Sequence, residues 1–485
     1  IDDSNNIDTN LKDYINGFSD DVKEILDNFE IATIIEKLKK AGLLYLVVQK
    51  FSEINLGADT IDNLEMGYMF EELIRKFSEQ SNETAGEHFT PREVIELMVE
   101  VLLDTDLDEI TTTDGKVITI LDPACGTGGM LSIAQNKIRA LNSRTTVVPF
   151  GQELNPETYA TCKSDMILKN NTNSKIVFGN SFSEDGFREQ KFDYILSNPP
   201  FGVEWKKVKN FIENESKHKG YDGRFGAGTP RISDGSLLFL QHMISKMQPI
   251  EKGGSRIGIV FNGSPLFSGD AGSGESEIRK WIIEKDLLEA VIGLPDQLFY
   301  NTGISTYVWI LTNRKTDRRK GKIRLINGTS FFGKMRKSLG NKRNEITESD
   351  RKEIVRLYST YEHDENYIDF DNDDFGYRKI TIERPLYDEN REVVVEKGNP
   401  KPNSKLRDTE TVPFKEDIHE YFKREVLPHV PDAWIDEKKT KIGYEIPFTR
   451  HFYKFTPLRE SSVILDEIKQ LEEKIQKSLN ELFKG

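Results

Sequence analysis

Cysteine and histidine are scarce in this sequence, with two Cys and seven His among 485 residues. Cys125 and Cys162 are too few for a disulfide framework in a chain of this size and lack the clustered spacing of a zinc site, so no metal ligand set is expected. No apolar run approaches the roughly 20 residues that a bilayer-crossing helix needs, which excludes a helical membrane span. A positive balance is missing as well: 67 Lys and Arg against 81 Asp and Glu leave a net charge of −14. The chain therefore cannot coat a polyanion by bulk charge, and contact with nucleic acid requires a local basic patch or a partner. With 31% charged and 36% hydrophobic residues it reads as a soluble, cytoplasmic, globular protein. It begins at Ile1, with no Met and no charged-then-apolar signal segment. The expectation is a missing or trimmed N-terminal part.

The length suggests two or three domains. Residues 1–80 are predominantly acidic and carry apolar positions at a spacing near 3.6, as in Ile31 to Phe51, which predicts a helical N-terminal domain. From Lys116 to Leu311, short β-branched runs alternate with helical stretches: Val117 to Leu121, Val147 to Phe150, Ile176 to Phe178, Tyr194 to Leu196, Ile257 to Phe261, Leu288 to Ile292 and Thr306 to Leu311. Such alternation predicts an α/β domain, over 81–330, around a mostly parallel sheet. Arg314 to Arg343 is the most basic stretch, with Asp317 its one acidic residue and the Phe331–Phe332 pair inside it. It either grips phosphates or is a solvated face. Residues 331–460 read as a peripheral extension. In 461–485, Ile464, Ile468, Leu471, Ile475, Leu479 and Leu482 recur every three or four residues, a stripe that suits packing against a helical partner.

Three segments carry chemistry. Asp122-Pro123-Ala124-Cys125-Gly126-Thr127-Gly128-Gly129 follows a strand-like run and precedes a helical one. A glycine turn there brings bare backbone and a helix N-terminus close to a ligand. It lacks the third glycine of the dinucleotide fingerprint. Glu153 ends the next strand-like run, where a carboxylate can accept both hydroxyls of a ribose. Together these residues suggest an adenosine-containing cofactor; the alternative is a tight turn and a surface carboxylate. The second segment, Ser197-Asn198-Pro199-Pro200-Phe201, also follows a strand. Its prolines remove two backbone donors and stiffen the loop, leaving carbonyls beside an amide and an aromatic face. An amino group on a planar ring can donate to the Asn198 side-chain oxygen and the Pro199 carbonyl while Phe201 stacks on the ring. A strand-ending turn with a packed Phe is the plainer alternative, but the carboxyl end of a strand is where open α/β sheets bind ligands. The third segment, Gly86 to Val94, predicts a helix start, with Thr90 as N-cap, Pro91 in the first position and Glu93 three residues after the cap.

These residues, in this order, resemble the amino-methyltransferases that use S-adenosylmethionine. The wider sequence, from about Leu43 to Asn313, is similar to the modification (M) subunits of type I restriction-modification systems. The resemblance implies a Rossmann-like, class I S-adenosylmethionine-dependent methyltransferase domain, between a helical N-terminal domain and a C-terminal extension ending in a long helix. It implies that Glu87, His88, Phe89 and Thr90 lie at the methionine part of the cofactor, with Asp122, Pro123, Gly126, Thr127, Gly128 and Gly129 cradling that end. Glu153 would hold the ribose, and Asn180 with Ser181 would lie near the adenine. Where the family often has Gly-Asp-Ser, this chain reads Gly179-Asn180-Ser181, which bears on cofactor affinity. Ser233-Asp234-Gly235, Asn262 to Leu266 and Leu294 to Ile304 also match. Phe299 and Tyr300 either enclose a flipped base or belong to the core.

The activity implied is methyl transfer to N6 of adenine in DNA by direct displacement, with Asn198, Pro199, Pro200 and Phe201 as the catalytic set. Cytosine C5 chemistry would need a Pro-Cys nucleophile loop, and the sequence has no Pro-Cys dipeptide. The 206–231 segment after the amine clamp, with Tyr221-Asp222-Gly223-Arg224-Phe225, is a candidate for closing over substrate. The partners implied are DNA, a specificity (S) subunit bound by two M subunits, and a restriction (R) subunit. Methylation of a protein glutamine at N5, or a catalytically silent scaffold role, are the alternatives.

Overall fold

A computed structural model describes residues 6–57, isolated positions between 60 and 76, 90–453 apart from 170, 172 and 301, and 460–482. It divides into two compact units, Ile1–Ile446 and Pro447–Gly485. Each of the seven β-branched runs forms a strand: β1 (Val117–Asp122), β2 (Thr146–Glu153), β3 (Lys175–Phe178), β4 (Tyr194–Ser197), β5 (Arg256–Asn262), β6 (Leu288–Gly293) and β7 (Thr306–Thr312). Further along come β8 (Lys322–Asn327), a hairpin of β9 (Gly333–Leu339) and β10 (Lys342–Glu345), and β11 (Tyr367–Asp371). The main sheet has the order β11-β8-β6-β7-β5-β4-β1-β2-β3. Strand β7 runs antiparallel to β5 and β6, and β11 antiparallel to β8; the other pairs are parallel. The chain order reverses between β1 and β4, and in open α/β sheets that switch point is where a crevice opens at the carboxyl ends of the strands.

Strands β6 and β7 are buried along their whole length, as expected of a sheet covered on both faces. Alternate residues, among them Ile118, Ile120, Leu196, Val260, Val308, Ile310, Ala290 and Ile292, enter one large hydrophobic cluster. Helices Arg92–Asp104, Gly129–Leu141 and Glu348–Ser359 contribute to the same cluster, the first through Val94, Leu97, Met98, Val101 and Leu102. Gly258 in β5 allows that close approach, since a Cβ there would stand 3.1 Å from Leu102 Cδ1.

The N-terminal layer has the helices Ile7–Asn16, Asp20–Asn28, Ile31–Lys40 and Leu44–Ser52, of which the first, third and fourth share a small cluster of Ile7, Ile35 and Leu44. Glu24 accepts hydrogen bonds from Tyr159 (2.8 Å) and Lys163 (2.6 Å) of helix Pro156–Leu168, tying this layer to the α/β domain. Residues 331–460, read from sequence as peripheral, supply the edge strand β11 and the core helix Glu348–Ser359. They also form a smaller sheet in which β12 (Gly376–Glu383) pairs with three later segments around Ile380, Ile382 and Val412. In the second unit, helix Ser461–Leu482 leaves Ile464, Ile468, Leu471 and Ile475 exposed. The side chains of Leu479 and Leu482 lie outside the described residues.

No helix among the described residues is long and apolar enough to cross a membrane. The interior does hold charge. Arg256 Nη2 donates to Glu289 Oε2 at 2.7 Å, and the Tyr358 hydroxyl donates to the same oxygen at 2.5 Å, joining β5, β6 and helix Glu348–Ser359. Burial pushes the Glu289 carboxyl up, but the Arg256 and Arg319 guanidinium groups outweigh it and hold the group below its ordinary value. Glu289→Ala would strand the Arg256 charge in the core. The expected cost is about 3–5 kcal/mol, read as a lower denaturant midpoint of unfolding.

Candidate active site

The glycine turn leaves β1 at the switch point. Gly126 (φ +51°) and Gly128 (φ +84°) both sit in the left-handed region, for different ends. A Cβ on Gly128 would stand 2.6 Å from Cys162 Sγ, so that glycine is required for packing against helix Pro156–Leu168. A Cβ on Gly126 would meet nothing within 4 Å, so its backbone faces open space. Thr127 lies half-buried between them, and Gly129 begins the helix.

Asp122, 2% exposed, ends β1. Its Oδ1 accepts from the Ala124 N–H (3.0 Å) and from the Ser197 hydroxyl at the end of β4 (3.0 Å). Burial pushes the carboxyl up to about 7, against the pull of those two donors. The Ser181 hydroxyl, from the loop after β3, donates to the Pro123 carbonyl at 2.5 Å. At the end of β2, Glu153 Oε2 accepts from Gly126 N–H (2.8 Å), and its Oε1 accepts from the N–H groups of Leu154 (2.9 Å) and Asn155 (2.8 Å). Burial raises this carboxyl too, while the three N–H donors pull it down. Asn180 Oδ1 accepts from the N–H of Phe182 (2.9 Å) and of Ser183 (3.4 Å), which closes the turn after β3.

The Asn198 amide is half-buried, and its Nδ2 donates to Thr90 Oγ1 at 2.9 Å. This corrects the expected N-cap. Helix Arg92–Asp104 begins one residue later, with Pro91 in the cap position and no side-chain cap, because the Thr90 hydroxyl is engaged by Asn198 and Glu93 by the Lys342 ammonium. Pro199 is buried and Pro200 half-buried. Phe201, expected as an open stacking plate, is 7% exposed and belongs to the main hydrophobic cluster. Phe299 is core as well, whereas Tyr300 is half-buried. Glu87, His88 and Phe89 lie outside the described residues.

The fold thus brings together Thr90, Asp122, Glu153, Ser181 and Ser197–Asn198, which the sequence scatters over about a hundred positions. It adds Arg224. The 206–231 segment is an insertion built on helix Lys209–Lys219 rather than an open loop. There Arg224 pairs with Glu215 (2.7 Å) and donates to the carbonyls of Ser181 (2.9 Å) and Phe182 (2.6 Å). The segment that follows the Asn198 loop is thereby fastened to the loop after β3. Its signal in the sequence was only the Tyr221 to Phe225 run. The ring of buried His242 sits 3.2 Å from Arg224, and burial followed by that charge keeps the imidazole neutral.

The strand order, the glycine turn after β1 and the Asn-Pro-Pro-Phe loop after β4 define a Rossmann-like methyltransferase fold. Residues 62–376 match the model of the N-6 DNA methylase family, and the chain belongs to that family. It is 29% identical over 343 residues to the MjaIX type I restriction enzyme methylase subunit of Methanocaldococcus jannaschii, covering 69% of this chain and 55% of that protein. It is 31% identical over 280 residues to the HindI methylase subunit of Haemophilus influenzae, covering 56% of this chain and 55% of that one. The chain spans about half the length of the curated relatives it matches. In three dimensions it is similar to the crystal structure of the type I restriction-modification system methyltransferase subunit from Streptococcus thermophilus. The TM-score is 0.53 at 27% identity, with 64% of this chain and 60% of that chain covered.

A carboxyl raised from 3.8 to about 7 contributes stability that is complete below pH 4 and is lost as the pH rises through 7. Asp122→Asn has no proton to lose there. Thermal melts from pH 5 to 8 should therefore show the variant gaining on the parent as the pH rises; parallel profiles would mean that Asp122 is ionised throughout.

Proposed function

We propose that the chain transfers a methyl group from S-adenosylmethionine to N6 of an adenine turned out of a DNA duplex, as the modification subunit of a type I restriction-modification assembly. The observation that carries this reading is the 3.0 Å hydrogen bond between Asp122 and Ser197, which joins the glycine turn to the Asn198 loop at the switch point. The residues also fit the donor. Gly126 offers bare backbone to open space, and Asp122 and Glu153 are carboxylates at the carboxyl ends of β1 and β2, suited to a cationic, hydroxyl-bearing ligand. The donor supplies an electrophilic methyl on a sulfonium sulfur.

The residues of the chain then act on the amine. The N6 lone pair is delocalised into the adenine ring. Acceptance of its two N–H bonds by the Asn198 oxygen and the Pro199 carbonyl favours a more tetrahedral, more nucleophilic nitrogen. Thr90 fixes which way the Asn198 amide faces, since a hydroxyl accepting from Nδ2 turns Oδ1 the other way. Positioning and electrostatics carry the rate, and no covalent enzyme intermediate is required. Inside a duplex the amine cannot reach such a clamp, so the base leaves the stack at a cost of a few kcal/mol. The relatives are methylase subunits, and the acidic balance disfavours unaided recognition of DNA. A specificity subunit bound by two copies of this chain, with a restriction subunit for cleavage, completes the proposed assembly, and the exposed stripe of helix Ser461–Leu482 suits such docking.

Asn198→Ala should lower tritium transfer to adenine by at least about 100-fold while leaving donor affinity nearly unchanged in calorimetry. Loss of donor binding would overturn this division of roles. Transfer to protein glutamine instead of DNA would favour the second reading. Thr90→Val, which removes one hydrogen bond worth about 1 kcal/mol, should cost about fivefold in kcat with the donor Kd preserved.

A further inference from the structure

The cations of the basic stretch from Arg314 to Arg343 are used differently. Arg318, Lys320 and Lys322 lie at the surface, Arg318 over the Tyr361 ring and the two lysines beside Asp317 and Asp371. Arg314 is bidentate on Asp106 (2.6 Å to each oxygen), Lys315 pairs with Asp286 (2.6 Å), and Arg324 is bidentate on Asp369 (2.7 Å). Lys342 is buried against Glu93. These cations are spent inside the fold. By contrast, Lys334, Arg336, Lys337 and Arg343 on the β9–β10 hairpin are exposed, and none is ion-paired among the described residues.

The hairpin is held at a defined place. Lys342 Nζ donates to the carbonyls of Leu298 (3.1 Å) and Asn344 (3.0 Å) as well as meeting Glu93. The N–H of Asn341 donates to the Tyr300 carbonyl (2.8 Å), and the N–H of Arg343 to that of Gln297 (2.9 Å). Gly340, at the turn with φ +59°, is needed there, because a Cβ would stand 2.6 Å from the Tyr300 oxygen. Glu93 lies three residues after Thr90, which holds Asn198.

Topology supplies the remaining link. Strands β6 and β8 point the same way as β1 and β4, so the 294–305 turn and the hairpin rise from the same sheet edge as the glycine turn and the Asn198 loop. In the sheet order β8 stands four strands from β4, about 19 Å at ordinary strand spacing, well within one duplex turn of about 34 Å. We infer that the β9–β10 hairpin is a phosphate grip for duplex DNA flanking the modified base. The inference rests on the adenine-methylation reading of the neighbouring site. It also accounts for how a chain of net charge −14 contacts a polyanion, through a few free cations on an anchored arm.

The test is binding of the full chain to a fluorescent 30-base-pair duplex across a salt series. The combined variant Lys334→Gln, Arg336→Gln, Lys337→Gln, Arg343→Gln is compared with a control, Lys252→Gln with Lys285→Gln, whose exposed lysines precede β5 and β6 at the opposite edge. For every phosphate that the hairpin no longer neutralises, the slope of log affinity against log salt should become shallower by about 0.9. Affinity in low salt should fall about tenfold or more in the hairpin variant, with the control unchanged. Donor affinity should stay constant in both. An unchanged slope in the hairpin variant, an equal loss in the control, or no measurable duplex binding by the parent in low salt overturns the inference. Methyl transfer by the assembled complex, measured in parallel, judges the underlying reading separately. Duplex binding that depends on the hairpin without transfer to adenine would uphold the grip and overturn the methylation reading.

Discussion

One buried carboxyl at the switch point of the sheet ties the loops of the candidate site together. Asp122 ends β1 and accepts from the loop on each side: from Ala124 in its own turn and from Ser197 at the end of the neighbouring strand. Each loop alone is a strand-terminating turn. The bond across the switch point holds the two loops side by side. Glu153 repeats the device one strand further out, bonding back to Gly126. The bonds from Ser181 to Pro123 and from Arg224 to the Ser181 carbonyl extend it to the loop after β3 and to the inserted helix. Side chains with short reach therefore align loops that leave four different strands.

Charge follows a similar division of labour. Burying an ion is costly unless it is paired and hydrogen-bonded, and the chain satisfies that condition for Arg256 with Glu289, Arg324 with Asp369 and Lys342 with Glu93. Each pair joins separate elements, so buried charge sets geometry. The basic stretch that looks uniform in the sequence thus holds several cations wired into the fold, and four exposed cations without an ion pair among the described residues cluster on one hairpin. The exposed side of the sheet edge acquires a positive feature although the molecule as a whole is acidic.

The sequence by itself determined the first seven strands, the glycine turn, the Asn-Pro-Pro-Phe loop and the amphipathic last helix. These are written in local periodicity and in turn residues such as Gly126 and Gly128, whose left-handed backbone favours glycine. Tertiary structure decided the rest. Thr90 reads locally as an N-cap, but its hydroxyl is engaged by Asn198, a residue 108 positions away. Phe201 reads either as a stacking face or as a packed residue of a strand-ending turn, and the fold buries its ring in the main cluster. Asn180 reads as a departure that bears on cofactor affinity, and the fold shows in addition that its side chain closes the turn after β3. Arg224 carried almost no local signal, and its importance appears only when helix Lys209–Lys219 is set against the loop after β3. Hydrophobic period and turn chemistry act over a few residues and survive in one dimension. The partner of a polar side chain is chosen by whichever donor or acceptor the fold delivers to it, and no spacing along the chain encodes that choice.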